Sequence, residues 1–163
     1  MQSRRKDNII SNMQQRLNEP NKNDFPLLEQ RDRWILEIRL RREQTAQQRQ
    51  QLKVKQRETF DRQFYQDILG QNTDSFFKRT DQRFDGLTQQ LRQNYPQITD
   101  KELQLLLLYL LDISDNDICT ILEYTPNSLP TIKNRLSKKL KLKRASDIHN
   151  FIISLLKNNP KKD

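Results

Sequence analysis

Polar and cationic side chains lie opposite a stripe of leucines in the segment 128–140. If this segment is a helix, its outward side carries groups that can form hydrogen bonds with nucleotide bases. An asparagine can pair with adenine and an arginine with guanine through two hydrogen bonds each. The residues predicted to contact base edges are Thr131, Asn134 and Arg135 on the helix and Asn127 in the loop before it.

A second group of cations surrounds this set and is better suited to the phosphates, which fix register without reading sequence. The predicted phosphate contacts are Lys133, Lys138, Lys139, Lys141, Lys143 and Arg144. Local charge supports this interpretation. Residues 128–163 hold ten basic and two acidic residues, a net charge of +8, whereas residues 96–127 hold one basic and six acidic residues, a net charge of −5. Such segregation is typical of a surface that binds a polyanion.

Two preceding helices are predicted to position this segment. Thr99 and Glu102 have the spacing of a capping box, so a helix begins there and continues through an apolar run to Asp112. A second helix is predicted from Asp115 to Leu122, and the third begins at Ser128 with Leu129, Ile132, Leu136 and Leu140 on its apolar stripe. This order is typical of a helix-turn-helix, whose last helix enters the major groove of DNA.

The segment resembles the LuxR-type and sigma-region-4-like helix-turn-helix domains of bacterial transcription regulators. The motifs that carry the resemblance are Ile98-Thr99-Asp100-Lys101-Glu102, Asp117-Ile118-Cys119-Thr120-Ile121-Leu122, and Ser128-Leu129 with Leu136 and Lys139-Leu140. The resemblance covers about residues 74–157. It implies a four-helix DNA-binding domain in a sequence-specific transcription regulator, belonging to a subgroup with a long upstream helix and, in fuller members, tetratricopeptide repeats.

The chain departs from the family pattern at three places. Pro130 stands where a basic residue is usual, and Ile132 where a polar residue or histidine is common. Proline is tolerated in the first turn of a helix, so the helix is retained while the contact chemistry changes. No glycine occurs in the turn at Ile113-Ser114.

Composition points to an all-α protein without catalytic machinery. The chain has 163 residues, two glycines, and no convincing alternating pattern of a β-strand. One histidine, one cysteine and no glycine-rich phosphate loop leave no group of residues for catalysis, a metal or a cofactor. The lone Cys119 cannot form an intrachain disulfide, and no apolar run is long enough for a membrane span or a secretory signal. We therefore expect a cytoplasmic protein that is not an enzyme.

Three regions are expected along the chain. Residues 1–25 are expected to form a flexible N-terminal segment with a short amphipathic helix around Met13. Residues 26–73 are expected to form a long helical stalk or coiled coil. Residues 74–163 are expected to form the DNA-binding domain with a preceding packing helix. Nothing in the sequence breaks the helix before Gly70. Its heptad register contains Leu28, Ile35, Ile38 and Leu52, interrupted by Arg31, Arg42, Thr45 and Arg49, with Trp34 outside it. A dimer seam and a solvated helix fit this pattern equally well.

Two further helices complete the expected bundle. One runs from about residue 74 to Asn94, with Phe77, Phe84, Leu87 and Leu91 buried; the other is capped by Ser146 and carries an apolar stripe from Ile148 to Leu156. In the family, a last helix of this kind often supplies a dimer contact, and completion of the monomer core is the alternative.

The predicted main partner is double-stranded DNA, bound by a homodimer. An upstream sensor or RNA polymerase would be a further partner. The first rival is a helical adaptor that binds another protein through the same bundle without DNA, since a fold alone does not decide function. An RNA-binding protein ranks lower, because sequence-specific RNA readers usually present aromatic stacking platforms and the aromatics here lie on apolar stripes.

Overall fold

A computed structural model describes residues 25–158, with side chains placed as far as Lys157. This part of the chain contains eight α-helices, one 3-10 turn and no β-strand, which confirms the predicted all-α fold. In chain order the elements are α1 (Pro26–Gln50), α2 (Val54–Leu69), α3 (Thr73–Arg83), α4 (Leu87–Asn94), α5 (Asp100–Leu110), α6 (Asp115–Leu122), α7 (Leu129–Lys139), the 3-10 turn (Ala145–Asp147) and α8 (Ile148–Asn158). None of these helices is long and apolar enough to cross a membrane. The helix predicted around Met13 lies outside the described residues.

The expectation of one unbroken helix as far as Gly70 is wrong, because the chain reverses after α1. Three residues form the turn, and α2 then begins at Val54. Arg57 Nη2 donates a hydrogen bond to the carbonyl oxygen of Gln50 at 3.1 Å. This bond satisfies one of the carbonyls that the end of α1 leaves without an intrahelical partner.

Arginines of the predicted coiled-coil seam explain why the chain folds back. Arg42 Nη1 and Arg49 Nε lie 2.9 and 2.8 Å from Asp61 Oδ1, so both helices of the hairpin meet at one carboxylate. In a continuous helix, the 19 positions between Arg42 and Asp61 would separate them by about 28 Å. Tertiary contacts of this kind override helix propensity, which is a weak determinant of structure.

The first half of α1 is buried in the core of the molecule. Trp34 is 1% exposed and stacks on Phe84 of α3–α4, with ring centroids 6.1 Å apart. Ile35 and Ile38, which the heptad pattern assigned to a seam, are buried in the same cluster. Since α1 also packs against α2 and α8, this apolar surface is used within the chain and does not form an isolated stalk.

The helix predicted from about residue 74 to Asn94 is divided into α3 and α4. Asp85 and Gly86 lie between them with φ values of 55° and 79°, in the left-handed region. Asp81 Oδ1 accepts a hydrogen bond from the backbone nitrogen of Thr88 at 2.7 Å, so a side chain of α3 caps α4. The predicted buried face is confirmed for Phe77, Phe84, Leu87 and Leu91.

The three helices predicted within residues 99–140 are present. Thr99 Oγ1 accepts from the backbone nitrogen of Glu102 at 3.1 Å, and Glu102 Oε1 accepts from that of Thr99 at 2.9 Å, which confirms the capping box. α6 has the predicted bounds, Asp115–Leu122. The turn without glycine places Asp112 at φ 61°, a conformation that aspartate tolerates better than most residues.

α8 packs against α1 and α5 and closes the bundle. Its buried residues are Ile148, Ile152 and Leu156. The predicted cap at Ser146 is wrong, because Ser146 lies inside the 3-10 turn and Asp147 Oδ2 accepts from the backbone nitrogen of Arg144 at 3.2 Å. The apolar stripe of α8 therefore belongs to the core of its own chain, which favours core completion over a dimer contact.

Candidate nucleic-acid interface

α7 turns its leucines inward and its polar side chains outward, as the spacing predicts. Leu129, Leu136 and Leu140 are buried, Leu136 completely, and Ile132 is half-buried. Pro130 lies in the first turn, where the missing amide costs no intrahelical hydrogen bond. The helix is therefore held in place by one face only.

All the predicted base-contact residues are exposed: Asn127, Thr131, Asn134 and Arg135. The three on α7 follow an i, i+3, i+4 spacing, which places them on one face of the helix. Within residues 25–158, no other segment buries these side chains. A surface with an amide, a hydroxyl and a guanidinium can donate and accept hydrogen bonds at base edges.

Most of the predicted phosphate contacts are exposed as well: Lys138, Lys141, Lys143 and Arg144. Lys141, which follows the C-cap Leu140 of α7, adopts φ 62° and leads into the basic connector before the 3-10 turn. Arg144 remains 77% exposed although its Nη2 lies 3.8 Å from Asp147 Oδ1. These cations extend the positive surface of α7 beyond its C-terminus.

Lys139 has a different environment, because it forms an ion pair inside the domain. Its Nζ lies 2.8 Å from Glu102 Oε1, and the Glu102 side chain is only 9% exposed. Burial alone would raise the pKa of Glu102, but hydrogen bonds from Lys139 and the Thr99 amide outweigh it and hold the pKa below its usual value. Lys139 thus connects the end of α7 to the start of α5.

Lys133 is half-buried and also faces the domain. Its Nζ lies 5.0 Å from the ring centroid of Tyr109, a cation–π contact. The Tyr109 hydroxyl donates to Asp115 Oδ1 at 3.3 Å. Burial, together with the nearby Asp115 carboxylate, raises the pKa of Tyr109. Lys133 therefore contributes to the packing of α7 on α5.

Arginines of α1 bind the acidic side of the domain. Arg39 Nη2 lies 2.8 Å from Asp112 Oδ2, and Arg42 Nη2 lies 3.2 Å from Asp117 Oδ2. Arg31 Nε donates to the carbonyl oxygen of Leu110 at 2.6 Å, at the negative end of the α5 dipole. Much of the negative charge that the sequence places in residues 96–127 is therefore matched within the molecule.

The half-buried Arg42 is the centre of a network that sequence reasoning missed. Its guanidinium binds Asp61 and Asp117 and lies 4.7 Å from the Phe64 ring centroid. Tyr65 donates a short hydrogen bond to Asp117. The pKa of Asp61 is lowered: burial would raise it, and hydrogen bonds from Arg49 and Arg42 outweigh that effect. The network joins α1, α2 and α6.

One signal in the sequence could have revealed this network. Arginines at the inward positions of an amphipathic helix need buried partners, because an unpaired charge at such positions is costly. Asp61 occupies a comparable position, on the same face of α2 as Phe64 and Tyr65. Charges at inward positions of two neighbouring segments predict pairing of those segments.

Comparison of the chain with known protein families, curated protein sequences and solved structures gave no significant match. The resemblance to LuxR-type regulators therefore rests on the motifs quoted above and remains a prediction.

Proposed function

We propose that this protein is a sequence-specific regulator of transcription that binds double-stranded DNA, with α7 in the major groove. One observation carries the proposal. The outward face of α7 is exposed and cationic, while nearby carboxylates such as Asp112, Asp117 and Glu102 are bound by cations of the same chain. A free cationic face next to neutralised acids favours approach of a polyanion.

The side chains divide into two roles. Thr131, Asn134 and Arg135 contact base edges, with Asn127 approaching from the loop. The phosphate contacts are Lys138, Lys141, Lys143 and Arg144. Lys133 and Lys139 serve mainly to hold α7 on the domain, since Tyr109 and Glu102 already engage them.

A homodimer remains part of the proposal, although neither predicted dimer helix presents an apolar surface. Among residues 25–157 the exposed large hydrophobic side chains are Phe25 and Val54. A pairing of two chains on DNA would place inverted half-sites about 34–36 Å apart, or a multiple of that distance. Light scattering of the whole chain, alone and with a selected duplex, measures whether DNA is needed for pairing.

The test begins with selection of a preferred sequence from random duplexes, followed by binding titrations against matched and mismatched DNA. Asn134→Ala should reduce discrimination at one base position by about 1–3 kcal/mol. Lys138→Ala should weaken binding to all sequences alike and flatten the salt dependence by about one unit. Identical behaviour of the two variants would contradict the division of roles.

An adaptor that binds another protein is the competing function. Asp115 and Asn116 remain exposed at the start of α6, so this end of the helix could also meet a basic partner. Absence of salt-sensitive duplex binding by the wild-type chain would reject the DNA proposal and leave the adaptor.

A further inference from the structure

The end of the α1–α2 hairpin is a cationic projection. It plays no part in the proposed binding of α7 to the major groove. Between Arg42, which binds Asp117 of α6, and Asp61 the structure places no buried side chain, so the core of the molecule does not extend into this part of the hairpin. Residues 44–57, named here the hairpin tip, contain no acidic residue. Its four cations are Arg49, Lys53, Lys55 and Arg57. Arg49 binds Asp61, whereas Lys53 and Lys55 are exposed.

The hairpin tip projects beyond the start of α6. Tyr65 of α2 contacts Asp117 in the first turn of α6, and further along Leu69 and Ile121 line one cavity, so the two helices run in parallel. Lys55 lies ten residues before Tyr65, which places it about 15 Å beyond the level of Asp117 along α2.

The N-terminal half of α7 lies at the same end of α6. A cavity of about 310 Å³ is lined by Asn116 and Cys119 from α6 and by Leu129 and Pro130 from α7. Recognition helices generally enter the groove with their N-terminal part nearest the bases. The hairpin tip and the N-terminal half of α7 therefore lie on either side of the same end of α6.

We infer that the hairpin tip is a second DNA-binding surface, in which Lys53 and Lys55 bind backbone phosphates next to the segment that α7 reads. This inference rests on the proposed DNA binding and adds contacts outside the base-reading site. A reach of about 15 Å is at most four or five base pairs at 3.4 Å each, whatever the angle between α2 and the duplex. These lysines add affinity and salt dependence but no sequence preference.

The experiment compares Lys53→Gln/Lys55→Gln with a charge-matched control, Arg33→Gln/Lys78→Gln, whose side chains are exposed on the base of α1 and on α3. Each full-length variant is titrated against two duplexes. The short duplex contains only the base pairs that α7 is proposed to contact, and the long duplex extends it by eight base pairs on both sides. Salt dependence is measured from 50 to 200 mM, and urea midpoints equal to wild type show that each variant is folded.

On the long duplex, the tip variant should lose about 1.8 units of slope in log K against log salt, at about 0.9 per phosphate, while the control stays at the wild-type slope. On the short duplex the tip variant and wild type should agree. Gln48→Lys, another exposed change in the tip, should add about 0.9 units on the long duplex.

A tip variant that matches the control on the long duplex overturns the inference. If Lys138→Ala still flattens the slope of log K against log salt in that case, the proposed function stands without the hairpin. The hairpin tip would then be expected to bind an acidic protein partner. If the wild-type chain binds neither duplex, the proposed function and this inference both fail.

Discussion

Two sets of cations in this molecule have opposite surroundings. On α1, Arg39 and Arg42 bind carboxylates of α2, α6 and the turn before α6. On α7, Arg135 and Lys138 face outward, and no described residue supplies a counter-charge. Both segments are rich in cations in the sequence, with six arginines in α1 and four lysines or arginines in α7. Charge density therefore does not identify a binding surface; what matters is whether the fold supplies the counter-charge.

The largest effect is expected from removing the carboxylate that α1 and α2 share, which tests whether the cations of α1 are structural. Asp61→Asn leaves Arg42 and Arg49 with an uncharged partner at a site where the aspartate side chain is 6% exposed. We expect the free energy of unfolding to fall by about 3–5 kcal/mol, because the buried Asp61 accepts hydrogen bonds from two arginines and each charged hydrogen bond contributes about 1.5–3 kcal/mol. Urea unfolding followed by circular dichroism measures it.

The control is a surface pair on the same helix. Arg62 Nη2 lies 3.0 Å from Glu58 Oε1, and the Glu58 side chain is 63% exposed. Glu58→Gln should cost no more than about 0.5 kcal/mol. Equal losses of unfolding free energy for Asp61→Asn and Glu58→Gln would show that the network around Arg42 does not stabilise the fold.

Adjacent lysines of α7 sharpen the comparison within a single helix. Lys139→Met removes the partner of the buried Glu102 and should lower stability by about 1–3 kcal/mol. Lys138→Met, on the exposed face, should change stability by less than about 0.5 kcal/mol. DNA binding should show the reverse order, with the larger change in salt slope for Lys138. If both variants lost affinity and stability in parallel, α7 would have no separate structural and binding sides.

The smallest expected effect concerns pH. Glu102 has a lowered pKa in the folded state, so its ionised form contributes stability above its unfolded pKa of about 4.3. That contribution is lost as the pH falls through the folded pKa. Glu102→Gln preserves the capping acceptor but cannot ionise. Wild type should exceed this variant in stability at pH 7 and approach it near pH 3 in urea titrations. A difference that is independent of pH would contradict the ion pair.

Local signals were sufficient for α5, α6 and α7. The Thr99–Glu102 capping box and the leucine spacing of α7 depend on residues three or four positions apart, and both are observed. The buried face of Phe77, Phe84 and Leu91 was predictable for the same reason. The boundary between α3 and α4 could not be predicted in this way, because Asp81 caps a helix that begins six residues later.

The hairpin could not be read from local pattern. No proline or glycine marks the turn after Gln50, and its energetic cause is the pairing of Arg42 with Asp61, 19 positions away. The neutralised acids depend on still longer separations: Arg39 and Asp112 are 73 positions apart. A sequence window of one or two helices contains only one member of the Arg39–Asp112 pair. The exposed side of α7 was therefore predictable, and the neutralised acids of the domain were not.

The stacking of Trp34 on Phe84 bears on how the molecule can be shortened. A fragment starting at residue 74 would lack Trp34, and Phe84, now fully buried, would face water along with its neighbours. Removing such a large aromatic group from a core costs about 3–5 kcal/mol, a large share of the stability of a small domain. Trp34 and the inward leucines of α7 belong to one hydrophobic cluster, so a shortened version of the protein has to retain α1 if α7 is to keep its support.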